Sequence, residues 1–313
     1  MSTNLSFIIN KSELGAGTRG ASLGPEAIQV VARQQKSTIF STHKTIVLPH
    51  LNDLLDGPTD HQFARYIEGM QKNYNTISEE VKKTLLNGDF PFILAGDHSS
   101  AGGTIKGIQA AYPNLNLGVV WIDAHADLHT PYTTPSGNIH GMPLATAIKH
   151  DSRDQAKNSV PNETIELWEL LKTNYVSPEN VVFVGVRDTE IEEDNIITSL
   201  NIKNYTTEEL TMKGTSKVLN EIFNRLTLCD MIYVSFDVDS MDPEETSYGT
   251  GTPVKNGLSI AQAESLLLGL IENPKTKVTE IVEVNPCLDE KVNKMAEVAF
   301  SIIQKITCSN RFA

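Results

Sequence analysis

Leu117-Gly118-Val119-Val120-Trp121-Ile122-Asp123-Ala124-His125-Ala126-Asp127 opens as a strand and closes as a ligand set. Six apolar or small residues in a row read as a strand buried on both faces. Three potential metal donors follow at once, spaced two residues apart. Alternate residues of an extended chain point the same way, so the spacing predicts that Asp123, His125 and Asp127 converge. Two other stretches repeat the arrangement. Ala95-Gly96-Asp97-His98-Ser99 follows the apolar run 91–94, and Asp237-Val238-Asp239 follows the run 231–236. Each cluster therefore sits at the carboxyl end of a strand, where open α/β sheets place their ligands.

Outward from these clusters the chain alternates between apolar, β-rich runs and helical stretches, with no internal repeat. The expected strands are 5–10, 45–48, 91–95, 117–122, 180–186, 202–205, 231–238 and 278–284. The expected helices are 25–35, 60–87, 104–111, 142–149, 190–200, 216–225, 260–271 and 290–306. Thr206-Thr207-Glu208-Glu209 is a helix-capping signature. Strand followed by helix, about eight times over, predicts a parallel sheet covered on both faces, a three-layer α/β/α arrangement. The pattern alone fits an open sheet and a closed barrel equally.

Composition narrows the function. The chain has 313 residues, 40% of them hydrophobic, and a net charge of −13 from 39 acidic and 26 basic side chains. A nucleic-acid surface needs a basic patch, so that class is excluded. The acidity favours a cationic substrate, and part of it lies in the clusters themselves. No apolar run reaches the ~20 residues that span a bilayer. The amino terminus lacks a secretory signal pattern. Cys229, Cys287 and Cys308 are scattered and odd in number. They read as reduced thiols, consistent with a cytoplasmic protein.

The six donors His98, Asp123, His125, Asp127, Asp237 and Asp239 are mostly hard oxygens, a mix that suits Mn²⁺ and leaves room for a bridging water. Two divalent ions sharing carboxylates would activate that water without a serine or cysteine nucleophile. Three long loops surround the expected site: 13–25, 129–140 and 242–257. The first carries glycines at 15, 17, 20 and 24. It lacks the Lys and Ser/Thr ending of a phosphate loop, so it reads as a tight turn that brings backbone to the site. The polar stretch 150–162 reads as a surface loop.

These clusters, with Ser136-Gly137-Asn138-Ile139-His140-Gly141, Gly249-Thr250-Gly251-Thr252-Pro253-Val254 and Glu283-Val284-Asn285-Pro286, resemble the ureohydrolase (arginase/agmatinase) family, and within it the arginases. The resemblance runs from about residue 14 to 306. It implies a single α/β domain over 1–313 with an open, eight-stranded, mostly parallel sheet. It implies two Mn²⁺ per chain, one held by His98, Asp123, Asp127 and Asp237, the other by His125, Asp123, Asp237 and Asp239. The implied reaction is hydrolysis of the guanidinium of L-arginine to L-ornithine and urea by a metal-bridging hydroxide, which Asp127 orients. Glu283 would accept the guanidinium, with Thr252 beside it, and His140 would give a proton to the leaving amine. Thr134, Ser136 and Asn138 match carboxylate-side positions, and Asp188 and Glu193 match ammonium-side positions. The family also implies trimers or hexamers.

The chain departs from the arginase pattern at the amino-acid end. His129 stands where an asparagine is usual, and Glu190 where an aspartate is usual. The run before Gly251 has an added residue and Tyr248. Three alternatives follow. Another guanidino compound, such as agmatine or guanidinobutyrate, would leave the carboxylate-side hydroxyls unused. A single-zinc amide hydrolase would need a different ligand spacing. A catalytically dead scaffold would have lost a ligand, whereas all six donors, His140 and Glu283 are present.

Overall fold

A computed structural model describes residues 3–172 and 176–312. Eight strands form one open sheet: β1 (Leu5–Asn10), β2 (Lys44–Val47), β3 (Phe90–Ala95), β4 (Leu117–Ile122), β5 (Val181–Val184), β6 (Lys203–Tyr205), β7 (Met231–Asp237) and β8 (Thr276–Val282). Their order is β2-β1-β3-β8-β7-β4-β5-β6. Every pairing is parallel, so the expected "mostly parallel" sheet is wholly so. The open order settles the choice that periodicity left.

The continuous apolar strands divide their side chains between two cores. Phe7, Phe92, Leu94, Val120, Ile122, Val234 and Phe236 face one layer. Helices Gly24–Gln34, Thr215–Arg225, Ile260–Glu272 and Lys294–Thr307 cover it. Ile8, Ile93, Val119, Trp121 and Tyr233 face the other, beneath helices Ile67–Leu86, Ser100–Ala111, Pro143–Ile148 and Ile191–Ser199. Helices Ile67–Leu86 and Ser100–Ala111 pack backbone to backbone. A Cβ at Gly102 would lie 2.3 Å from the Tyr74 ring, so only glycine permits that approach. Among the described residues no helix is long and apolar enough to cross a membrane.

Short helices Ile39–Thr42 and Thr207–Lys213 add to the expected set, the second starting at the capping signature, and two longer helices also differ from expectation. The helix expected over 60–87 begins at Ile67, because Tyr66 adopts a left-handed φ of 56° and the residues before it form turns. Helix Asn162–Leu171, preceded by Pro161, was not anticipated. Its buried residues are few (Thr164, Trp168, Leu171), and Trp168 and Leu171 pack in a satellite cluster with Leu14, Tyr74 and Ile139.

Candidate active site

The three ligand clusters and Glu283 leave β3, β4, β7 and β8, the four contiguous central strands. Sequence alternation predicts their convergence for the wrong reason. β4 ends at Ile122, so Asp123, His125 and Asp127 lie beyond the pleat. Asp123 Oδ1 instead accepts the His125 N–H at 2.8 Å, and Asp127 takes a left-handed φ of 52°. Asp237 Oδ1 likewise accepts the Asp239 N–H at 2.8 Å and starts the turn Val238–Ser240. Aspartate side chains capping their own turns gather the donors.

His98 Nδ1 lies 3.0 Å from Asp123 Oδ2 and 3.2 Å from Asp127 Oδ2 and Asp237 Oδ2. His125 Nδ1 lies 3.1 Å from Asp239 Oδ2 and 3.5 Å from Asp123 Oδ1. Two ligand groups result, His98–Asp123–Asp237 and Asp123–His125–Asp239, with Asp123 common to both. Asp237 falls in the first group only.

The electrostatics of this cluster call for cations. Burial, then the Asp123 charge, pushes the Asp127 carboxyl up to about 6. Burial and neighbouring carboxylates also raise Asp237 and Asp239. Asp123 is held low in spite of its burial, because His125 and His98 bond to it. Burial pushes the two imidazoles down, but the carboxylates outweigh it and hold both well above the ordinary range. His98 Nδ1, wholly buried, lies 3.0–3.2 Å from three carboxylates yet meets none of them in hydrogen-bond geometry. An orphaned nitrogen facing crowded hard-oxygen donors fits a pair of divalent cations.

Glu283 follows β8 with φ 67°, its N–H donating to Gly96 O at 2.9 Å. Its Oε1 accepts the His98 N–H at 2.9 Å and lies 3.4 Å from His140 Nδ1. Burial pushes the His140 imidazole down, yet Glu283 outweighs it and holds it up at about 9. The backbone of His140 is fixed through the glycine loop, as expected of that loop. Its N–H donates to Gly15 O at 3.1 Å, and the Gly15 N–H donates to Asp97 Oδ2 at 2.9 Å. A Cβ at Gly15 would sit 2.8 Å from Ser99 Cβ and 3.0 Å from the His140 nitrogen.

Sequence reasoning passed over Asp97, used here as a buried anchor, and Trp121. The Trp121 indole donates to Asp123 Oδ2 at 2.9 Å and stacks on His98 with ring centroids 4.0 Å apart. The signal was present: Trp121 precedes Asp123 by two residues in a strand otherwise aliphatic.

Above the cluster lies a cavity of about 230 Å³. His98, His125, Asp127, Asp237 and Asp239 line it with His140 and Thr252, while Asp123 and Glu283 are buried beneath. Thr252, expected beside the guanidinium site, donates to Asp239 Oδ2 at 3.1 Å. One wall carries Thr134, Ser136 and Asn138. Thr134 Oγ1 accepts the Gly137 N–H at 3.0 Å and Ser136 Oγ the Asn138 N–H at 3.2 Å, which aims this turn at the cavity.

Asp188, Glu190 and Glu193 also line the cavity. Asp188 lies 3.6 Å from His125 Nε2. Glu190 and Glu193 form the capping box of helix Ile191–Ser199, and burial raises the Glu193 carboxyl to about 8. The two unusual residues of the sequence meet: His129 Nε2 lies 2.8 Å from Glu190 Oε2 and 3.6 Å from Glu193 Oε2. Thr133 Oγ1 engages the other His129 ring nitrogen at 3.2 Å.

Comparison with known proteins agrees with this architecture. The family model described as "Arginase family" matches residues 9–308. An arginase of Bacillus subtilis (strain 168) is 33% identical over 98% of both chains. One of Staphylococcus aureus (strain COL) is 34% identical over 93% of both. The crystal structure of Entamoeba histolytica arginase in complex with L-ornithine superposes with a TM-score of 0.84 at 26% identity, covering 99% of this chain and 100% of that one.

Proposed function

The chain belongs to the arginase family and is a hydrolase acting on a guanidino C–N bond, and from that premise we propose that it converts L-arginine and water to L-ornithine and urea with two Mn²⁺ bound. The observation that carries the reading is the adjacency of the two ligand groups to His140, which lines the same cavity, and to Glu283, buried beside it.

In this reading His98, Asp123, Asp127 and Asp237 hold one ion, and His125, Asp123, Asp237 and Asp239 the other. When bound, the ions supply Lewis acidity that brings a shared water into reach of deprotonation near neutral pH. Asp127, which lines the cavity, accepts a hydrogen bond from the attacking water and orients it. Glu283 Oε2 accepts no hydrogen bond among the described residues, so it can take guanidinium N–H donors while Oε1 stays with the His98 amide. His140, held protonated beside Glu283, gives its proton to the departing δ-amine as the C–N bond breaks. Thr134, Ser136 and Asn138 face the substrate carboxylate, and Asp188 and Glu193 its ammonium. E. histolytica arginase holds L-ornithine, the product expected here.

A second reading, another guanidino substrate, gains support from the His129–Glu190 contact, because it engages two polar groups of the amino-acid wall with each other. Urea release from the Mn²⁺-loaded protein with arginine, agmatine, guanidinobutyrate and guanidinopropionate decides between them. A specificity constant for arginine below those of the others would refute the first reading. Family resemblance further supports one domain over the whole chain and a cytoplasmic trimer or hexamer, which light scattering tests.

A further inference from the structure

A guanidinium beside the metal-ligand cluster is spent wholly on main chain. Arg187 lies just beyond β5, half-buried and outside the lining of the cavity. Its Nε donates to Lys255 O at 3.0 Å. Nη1 donates to Gly185 O at 2.9 Å and Ser240 O at 3.3 Å, and Nη2 to Asp239 O at 3.0 Å and Val254 O at 2.7 Å. A guanidinium has five N–H donors, so none is left for a substrate carboxylate or for the adjacent Asp188.

The carbonyls it gathers belong to three segments: the end of β5, the turn Val238–Ser240 that carries Asp239, and the loop that carries Thr252. The main chain of Arg187 adds a fourth. Its N–H donates to Ala124 O at 2.8 Å, and the Asp188 N–H donates to the same oxygen at 3.0 Å. Ala124 stands between Asp123 and His125. Arg187 therefore holds both arms of the ligand group Asp123–His125–Asp239. Those arms meet where Asp239 Oδ1 accepts the Ala124 N–H at 3.2 Å and Oδ2 faces His125 Nδ1 at 3.1 Å. No bond of Arg187 goes to His98 or Asp237. Crowded carboxylates repel, and a turn whose carbonyls were held only by water would yield to that repulsion. We infer that Arg187 is a positioning residue for one of the two ions: it ties the Asp239 turn and the Thr252 loop to the Ala124 turn and so fixes the spacing of the second ligand group. Outer hydrogen bonds orient metal ligands in this way elsewhere. The inference rests on the ligand set proposed above.

The test is Mn²⁺ binding to the full-length chain, with free Mn²⁺ followed by electron paramagnetic resonance during titration and the melting temperature of the metal-free protein measured alongside. Arg187→Lys keeps the charge but offers its donors from one point, which cannot span carbonyls on three segments. Arg187→Met keeps a long stem and removes both charge and donors. Each is expected to weaken one ion about 10- to 100-fold and to leave the other within about threefold. Removing a positive charge beside a cation site should by itself tighten binding, so a loss in Arg187→Met reports position and not charge. Added to His125→Asn, which disables the second group, Arg187→Lys should leave the remaining ion unchanged. Added to His98→Asn, it should weaken the remaining ion by the full factor. Wild-type binding in both Arg187 variants, equal weakening of both ions, or further loss in the His125→Asn background would overturn the inference. So would an Arg187→Lys chain that does not fold without metal, since the residue would then serve the whole fold. A wild-type protein that binds fewer than two Mn²⁺ would overturn the ligand set itself, and this inference with it.

Discussion

Replacing Glu283 by glutamine isolates the guanidinium site from the metal site. Alanine would not, because Glu283 Oε1 accepts the His98 N–H at 2.9 Å and faces His140, so truncation disturbs a ligand and a proton donor together. Glutamine keeps the acceptor for the His98 N–H, and the charge it removes acts on the guanidinium and on His140, not on a metal ligand. The His98 N–H repels an amide NH₂, so the carbonyl must take the Oε1 position and the NH₂ must replace Oε2. A donor then faces the donors of the substrate cation. Truncating one partner of a buried charge pair costs about 2–5 kcal/mol. At about 1.36 kcal/mol per decade, kcat/KM should fall roughly 30- to 5,000-fold. The inverted donor argues for the upper half of that range.

The assay is urea release under kcat/KM conditions, with metal content by mass spectrometry and melting temperature on the same preparation. Two ions should be retained, and the melting temperature should hold, since glutamine pays the same cost at φ 67°. A loss of less than tenfold with both ions in place would refute the guanidinium role of Glu283.

The other predictions probe its neighbours. Gly15→Ala forces a Cβ to 3.0 Å from the His140 nitrogen, so kcat should fall about tenfold or more with KM and metal content nearly unchanged, read by steady-state kinetics. His125→Asn should leave one tightly held Mn²⁺ per chain and a turnover lowered by orders of magnitude, checked by metal analysis after dialysis. The His140 pair makes a pH prediction for metal-free protein. Its folded-state pKa, near 9, is raised above the ordinary 6.5, so its stability contribution is complete below pH 6.5 and is lost as pH rises through 9. Urea denaturation at pH 6 and 9.5 should show that loss in wild type and a smaller one in His140→Asn.

The site was legible in the sequence because its donors are consecutive with strand ends. An apolar run that stops at Asp123 or Asp237 announces both the sheet and the ligand. The geometry between donors was not legible. Asp127 and Glu283 hold left-handed conformations that local propensity disfavours. Glu283 is held there by a bond to Gly96 from a distant part of the chain. Strand order was hidden for a similar reason: β8, last in sequence, inserts between β3 and β7 at the centre of the sheet. Helix Asn162–Leu171 escaped notice because it buries one narrow stripe on a satellite cluster, so its period is faint. The pairing of His129 with Glu190 joins residues 61 positions apart, which single-residue comparison cannot reveal.

That central insertion explains why the site is where it is. β8 delivers Glu283 between His98 from β3 and Asp237 from β7, so the proposed guanidinium acceptor and the ligand cluster share one rigid floor. The same strand carries Glu280 beneath that floor, beside Ser235 of β7. Buried carboxylates without cations are unfavourable, and here burial raises Asp127, Asp237 and Asp239 together. A loop site would relax by spreading these charges into water. A site held in tight turns at the ends of four paired strands cannot, because moving Asp123 or Asp237 would break the bonds by which each caps its own turn. The strand ends therefore keep the repulsion in place, and a pair of divalent cations in the proposed sites would relieve it.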